Sequence, residues 1–255
     1  ADPAITALWQ NYFERTASVK TLLTTLDQPD KAQKLLNLIH KLAPARPKAG
    51  SKLLAMITGI PNVGKSTLIN AVAGRKVAKT GDEPAITKGL QKIKLSDGVV
   101  GLDTPGILWP KIHNENSAYR LAASGAIRDT AMEVEDVAFY LSNFLLQHYP
   151  QLLQARYELD ALPRSEMEFL ELAGARRGCL RGGGHVDLEK ISSILVSEFR
   201  GGKLGRITLE TPDMIAAEEK IVTREQQQKA AREALRKKKK RGSRDHKDQA
   251  GPTGR

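Results

Sequence analysis

Cysteine occurs once in the 255 residues, at Cys179, which excludes an internal disulfide and leaves the chain no disulfide partner of its own. Such usage fits a reducing compartment. No apolar run reaches 18 residues, so the sequence offers no membrane-spanning helix. The five histidines show no metal-ligand spacing, and no partner for a catalytic Cys179 is evident. Glu133, Glu135 and Asp136 cluster where they favour a helix N-terminus, a better reading than paired acid–base carboxylates. The chain opens on Ala1 rather than a methionine, so a leader peptide is undecidable from the sequence. A length of 255 residues with 40% hydrophobic residues suits two small domains with their own cores.

What is present is a phosphate-binding pattern. Gly59-Ile60-Pro61-Asn62-Val63-Gly64-Lys65-Ser66-Thr67 is a complete G-x-x-x-x-G-K-[ST] loop. Its glycines let backbone N–H groups close around α- and β-phosphates, Lys65 reaches the β- and γ-phosphates, and the Ser66 hydroxyl suits Mg²⁺. The flanks fit. Lys52–Thr58 is a short apolar run of the kind that forms a buried strand. Lys65–Ala73 places Leu68, Ile69, Val72 and Ala73 at helical spacing, with Gly74 as the stop. Strand, glycine loop and helix N-terminus together make an anion site.

A second motif lies downstream. Leu90–Leu95 alternates apolar and polar residues, Asp97-Gly98 is a hairpin signal, and Val99–Leu102 runs into Asp103-Thr104-Pro105-Gly106. A D-x-x-G after a strand, 44 residues beyond Gly59, has the spacing of a guanine-nucleotide switch. Asp103 then holds Mg²⁺ through water, and the Gly106 amide senses the γ-phosphate. Between the motifs, Gly81–Thr87 is a polar loop whose Thr87 is the candidate switch threonine for Mg²⁺ and the γ-phosphate. An ordinary loop hydroxyl is the competing reading for Thr87 taken alone.

Guanine selectivity normally needs an N/T-K-x-D segment, and none occurs in residues 1–255. Fifty-eight residues precede the phosphate loop, where most small GTPases have very few. Val19–Thr25 reads as a strand, and Lys31–Leu42 as a helix with Leu35, Leu38, Ile39 and Leu42 on one face. The simplest account is a circular permutation that puts the base-reading elements upstream, in a chain that begins just past them.

These features resemble one family. Gly59–Thr67, Ala78–Asp82, Leu102–Lys111 with its Trp109-Pro110 extension, Arg176–Leu180, Gly182–Gly184, Phe199-Arg200 and Gly205-Arg206 look like ribosome biogenesis GTPase A. The resemblance spans most of residues 1–213. It implies an α/β fold: a circularly permuted, N-terminally incomplete P-loop GTPase domain, then a small all-α domain and a basic tail. The corresponding domains are residues 1–130, a helical RNA- and ribosome-docking domain over 131–215, and a tail over 216–255. It also implies GTP and Mg²⁺ as cofactors, and the large ribosomal subunit precursor with its ribosomal RNA as partners. The expected compartment is the bacterial cytoplasm, or the mitochondrion in a eukaryote. Thr24-Thr25 corresponds to the family's second base-contacting loop. Asn62 resembles an asparagine that ligates K⁺ in some related GTPases, and a loop-stabilising amide is its other reading. Position 107, where Ras-like proteins place a water-orienting glutamine, is Ile107. Slow intrinsic hydrolysis, raised by the particle, is the expectation.

Charge agrees with a nucleic-acid partner. The net charge is +11, and residues 216–255 hold thirteen Lys/Arg against six Asp/Glu. The run Arg236–Arg241 follows good helix formers and gives way to Gly, Ser, Asp and Pro, which reads as a helix fraying into a disordered tail. A solubilising tail is the alternative. Helices are predicted over Val134–Tyr149, limited by Pro150, and near Ser165–Ala173 and Asp187–Phe199. Arg176, Arg177, Arg181, Arg200 and Lys203 flank glycine-rich turns as candidate phosphate contacts. Three functions stay open: a particle-activated GTPase, a nucleotide-insensitive RNA or ribosome binder, and a generic ATPase.

Overall fold

The computed structural model describes residues 1–24, 30–43, 52–78, 89–109 and 111–248. The chain divides into two compact units, Ala1–Leu209 and Glu210–Arg255. The boundary expected at 130/131 falls inside the first.

The first unit begins with α1 (Pro3–Glu14) and α2 (Asp30–Leu42). A three-stranded sheet follows, built from β1 (Leu53–Ile57), β2 (Gln91–Lys94) and β3 (Val99–Asp103), with α3 (Lys65–Ala73) between β1 and β2. The order is β1-β3-β2. β3 runs parallel to β1, pairing Leu53 with Val99 and Ile57 with Asp103, and antiparallel to β2. The Asp97-Gly98 turn closes that hairpin as its sequence predicts, with the Val99 N–H donating to Ser96 O at 3.4 Å. Gly74 ends α3 in the left-handed conformation.

Side-chain alternation decides which face of the sheet is covered. Leu53, Ala55 and Ile57 point with Ile93 and Val99 into a core that α3 closes with Ile69 and Val72. α2 adds Leu36, with Leu35 and Ile39 beside it. Leu36 is the most buried of these α2 residues, whereas Leu42, expected on the apolar face, is 43% exposed. Leu54 and Met56 stand on the opposite face and are exposed. Among the described residues, β1 is therefore covered on one face.

Val19–Thr24 is not a strand, contrary to the sequence reading, and Thr25 lies outside the described residues. Its backbone is held locally instead. The Thr21 N–H and hydroxyl both donate to Glu14 Oε1, at 2.8 and 2.7 Å, tying the segment to the end of α1.

The rest of this unit is helical: α4 (Glu115–Ala123), a 3-10 turn at Asp129–Ala131, α5 (Val134–His148), α6 (Pro150–Tyr157), α7 (Glu166–Arg176) and α8 (Leu188–Arg200). The predicted helices are there, and local chemistry sets their ends. Asn114, Ser165 and Asp187 are N-caps whose side chains accept from the amides of Ser117, Glu168 and Lys190. Pro150 stops α5 and occupies the first turn of α6, where its missing N–H costs nothing. α5 packs against α6, α7 and α8, and Leu141, Leu145, Leu153, Phe169, Leu170, Ile191 and Leu195 are fully buried.

The second unit contains α9 (Pro212–Asp248), entered through Thr211, whose hydroxyl accepts from the Met214 N–H at 3.2 Å. The helix continues through Arg236–Arg241, so the expected fraying into disorder at the basic run is corrected as far as Asp248. Lys, Arg, Ala, Glu and Gln are strong helix formers, and their summed propensity carries the helix past Gly242.

Candidate nucleotide site

The site is assembled where β1 and β3 end side by side. β1 stops at Ile57, the loop turns through Gly59–Gly64, and α3 starts at Lys65. Gly64 caps α3 in a left-handed conformation with no side chain accepting from the first-turn amides. Amides of that kind, at the positive end of a helix, suit an anion. Ser66 and Thr67 lie half-buried in that first turn, Pro61 is buried, and Asn62 and Val63 are exposed. The Lys65 ammonium crosses the loop and donates to the Ile60 carbonyl at 2.7 Å. Burial pulls its pKa below the usual lysine value, and the negative charge of Asp103 opposes that pull.

The register of β3 explains how Asp103 arrives. Paired with Ile57, it ends its strand beside the loop and is 1% exposed. The next residues tie the D-x-x-G segment to the loop. The Thr104 hydroxyl donates to the Ile57 carbonyl at 2.7 Å, and the Ile107 N–H donates to Gly59 O at 3.3 Å. Gly106 lies against Pro61 so closely that a Cβ there would come within 2.7 Å of the Pro61 Cα. Only glycine fits. Ile107 itself is 71% exposed and Trp109 is 82% exposed.

Two further ties come from side-chain amides. Asn70 on α3 accepts from the amides of Val77 and Ala78, each at 2.8 Å, and donates to the Ala78 carbonyl at 2.9 Å. It thereby fixes the start of the segment that leads toward Thr87. Thr87 lies outside the described residues, as does Pro110. Asn62 donates to the Gly125 carbonyl at 2.8 Å, just past α4. This bond supports the loop-stabilising reading of Asn62. Thr104 and Gly125 were missed by sequence reasoning. Gly125 carried a signal, a glycine immediately after a helical Ala-rich stretch, whereas nothing marked Thr104 beyond its place in the motif.

The residues present fit a magnesium nucleotide. Backbone amides at a helix N-terminus and an ammonium suit phosphate oxygens, while the Ser66 hydroxyl and Asp103 carboxylate are hard oxygen donors of the kind Mg²⁺ takes. Among the described residues, no cluster of three His, Cys, Asp or Glu side chains forms a separate metal site, and no helix is long and apolar enough to cross a membrane.

The arginines read as candidate phosphate contacts have partners within the protein. Arg177 and Arg156 both donate to Glu198, at 3.1 and 3.0 Å, and the Tyr157 hydroxyl joins them at 3.1 Å. The Arg156 hydrogen bond, aided by Tyr157 and the two cations, holds the Glu198 carboxyl below the usual glutamate range against its burial. Burial beside that carboxylate pushes the Tyr157 phenol well above its ordinary value. Arg176 pairs with Asp160, and Arg181 pairs with Asp187. Arg200 donates to the Ala122 and Ala123 carbonyls. Lys203 is exposed.

This loop, the paired aspartate strand and the tied glycine define a P-loop nucleotide-binding domain. A family model described as 50S ribosome-binding GTPase matches residues 54–162. A ribosome biogenesis GTPase A from Priestia megaterium is 42% identical over 221 residues, covering 83% of this chain and 76% of that protein. One from Bacillus cereus is 48% identical over 168 residues, covering 66% of this chain and 56% of that protein. Among solved structures, GNP-bound YlqF from Thermotoga maritima superposes with a TM-score of 0.56 at 27% identity, over 84% of this chain and 78% of that one. A GDP-bound YlqF structure gives 0.58 at 26% identity, over 84% and 79%. The chain belongs to the ribosome biogenesis GTPase A family.

Proposed function

We propose that this GTPase serves a late step in maturation of the large ribosomal subunit in the bacterial cytoplasm. Its GTP form engages the precursor particle and its ribosomal RNA, and the particle stimulates an otherwise slow hydrolysis. The observation that carries the slow-turnover reading is Ile107. It follows the D-x-x-G glycine, is 71% exposed, and has no group able to orient water. The relatives' names, and a family model that speaks of 50S binding, support the choice of particle.

Within the site, Lys65 neutralises the β- and γ-phosphates, the loop amides from Gly59 to Thr67 cradle them, and the Gly106 amide reports the γ-phosphate. Ser66, Asp103 and Thr87 would hold Mg²⁺, whose charge would offset that developing on the phosphate. The basic second half of α9 adds sequence-independent attraction to RNA phosphates. About six such contacts would lower affinity roughly 10³-fold between 50 and 200 mM salt.

The test is single-turnover and steady-state GTP hydrolysis with and without precursor large-subunit particles. A large rise with particles is expected, and equal rates would overturn the proposal. Loss of particle binding on deleting residues 223–255, with GTP binding retained, is the expected companion result. RNA binding without any nucleotide binding would instead favour a nucleotide-insensitive module.

A further inference from the structure

Asn62 and Arg200 are 138 positions apart, yet both act on one turn. α4 ends at Ala123, and Ser124, Gly125 and Ala126 fold back on it. The amides of Ser124, Gly125 and Ala126 donate to carbonyls of Arg120, Ala122 and Leu121. Gly125 is left-handed at φ +76°, a conformation that suits glycine and presents its carbonyl outward from the turn. That carbonyl receives the Asn62 amide at 2.8 Å. From the other side, Arg200 at the end of α8 donates through Nε to Ala123 O at 3.1 Å and through Nη2 to Ala122 O at 2.8 Å. Its guanidinium also lies against Gly125, 3.4 Å from where a Cβ would stand.

The physical consequence follows from these contacts. The last carbonyls of a helix carry partial negative charge, and a fixed guanidinium there is favourable. Arg200 thus grips the α4 turn from one side, and Asn62 meets the same turn from the other. Asn62 has φ +57°, an uncommon conformation for a residue with a Cβ, although asparagine tolerates it better than most. A loop held in that conformation benefits from an outside anchor. α8 is itself packed on α5 and α7 through the buried Ile191 and Leu195, so the anchor rests on a well-buried platform.

We propose that Arg200 is a positioning residue for GTP binding and hydrolysis, acting on the phosphate loop through the α4 turn and the Asn62–Gly125 hydrogen bond. The same contacts run in reverse: a partner that displaces the end of α8 shifts the loop, and a nucleotide that reshapes the loop is felt at α8. This rests on the reading that the nucleotide's phosphates lie in the loop at residues 59–67.

The test combines Arg200→Ala, Arg200→Lys, Asn62→Gly and the double variant Asn62→Gly/Arg200→Ala in the full chain. Amide hydrogen exchange over residues 59–65 is measured without nucleotide, together with affinity for a fluorescent GDP and kcat and KM for GTP. Arg200→Ala is expected to speed exchange in the loop and to weaken nucleotide binding about five-fold, within the range of measured couplings along such contacts. Exchange in α7 should stay unchanged. Arg200→Lys retains charge and stem, folds normally, and should lie between wild type and Arg200→Ala. The double variant should be no worse than the poorer single variant, because both break one chain of contacts. Unchanged loop exchange in both Arg200 variants, or losses that simply multiply in the double variant, would overturn the proposal. A Lys65→Ala control separates the two failures. Nucleotide binding that survives Lys65→Ala would refute the loop as the nucleotide site, while the exchange data would still decide whether Arg200 positions it.

Discussion

The sheet region and the helical region of the first unit solve opposite problems. In the helical region, α5, α6, α7 and α8 bury large side chains completely, and a carboxylate at their junction is held by two arginines and a tyrosine. In the sheet region a single face is covered, Leu54 and Met56 face outward, and the working loop is held by a few hydrogen bonds and one glycine contact. Stability is concentrated in one region and chemistry in the other. A loop that must receive and release phosphates gains from few contacts, and a platform gains from many.

Substitutions can break this contrast, and the largest effect belongs to the platform. Phe169→Ala removes a fully buried ring that meets Tyr157 edge-on at 5.3 Å. It should cost about 3–5 kcal/mol of stability, read by denaturant unfolding. Gly106→Ala addresses the loop. Its Cβ would collide with the Pro61 backbone, so kcat/KM for GTP should fall about 100-fold, as a misplacement of about 1 Å implies, with about 1–3 kcal/mol of stability lost to the clash.

Glu198→Gln sharpens the comparison through pH. The folded-state pKa of Glu198 lies below its ordinary value, so its ion pairs add stability above the usual carboxylate range. That contribution fades as pH falls through the ordinary value and the lowered one. Wild type should therefore lose stability in acid more steeply than Glu198→Gln. With Arg156 and Arg177 each about a third exposed, the difference at neutral pH should be only about 1–2 kcal/mol. Smallest of all, Leu54→Thr on the uncovered face of β1 should shift stability by no more than about 0.5 kcal/mol.

The same contrast governs what could be read from the sequence. Elements with strong local signals were legible: β1, the Gly59–Thr67 loop, α3 with its Gly74 stop, the β2–β3 hairpin, and α5, α7 and α8. Their signals are periodicity, glycine geometry and caps, which act within a few residues. α1 and α6 went unforeseen, although the Asp2 cap and Pro3 mark the start of α1 within a few residues. Val19–Thr25 had strand composition, but Thr21 is held by Glu14, and a strand needs a hydrogen-bonded neighbour that composition cannot supply. Of the site, the phosphate loop, Asp103 and Gly106 were expected together, and the structure does bring them together. The fates of Arg177 and Arg200 were not foreseeable. Their partners, Glu198 and the α4 carbonyls, lie 21 and 77–78 residues away and meet them only by tertiary packing. Thr87 falls outside the described residues, so its role remains a proposal.

The most direct test of the account compares labelled GTP and ATP binding by the full chain and by Lys65→Ala, with magnesium present. The account predicts binding that prefers GTP and is abolished by Lys65→Ala. Equal affinity for ATP, or GTP binding that survives the loss of Lys65, would contradict it.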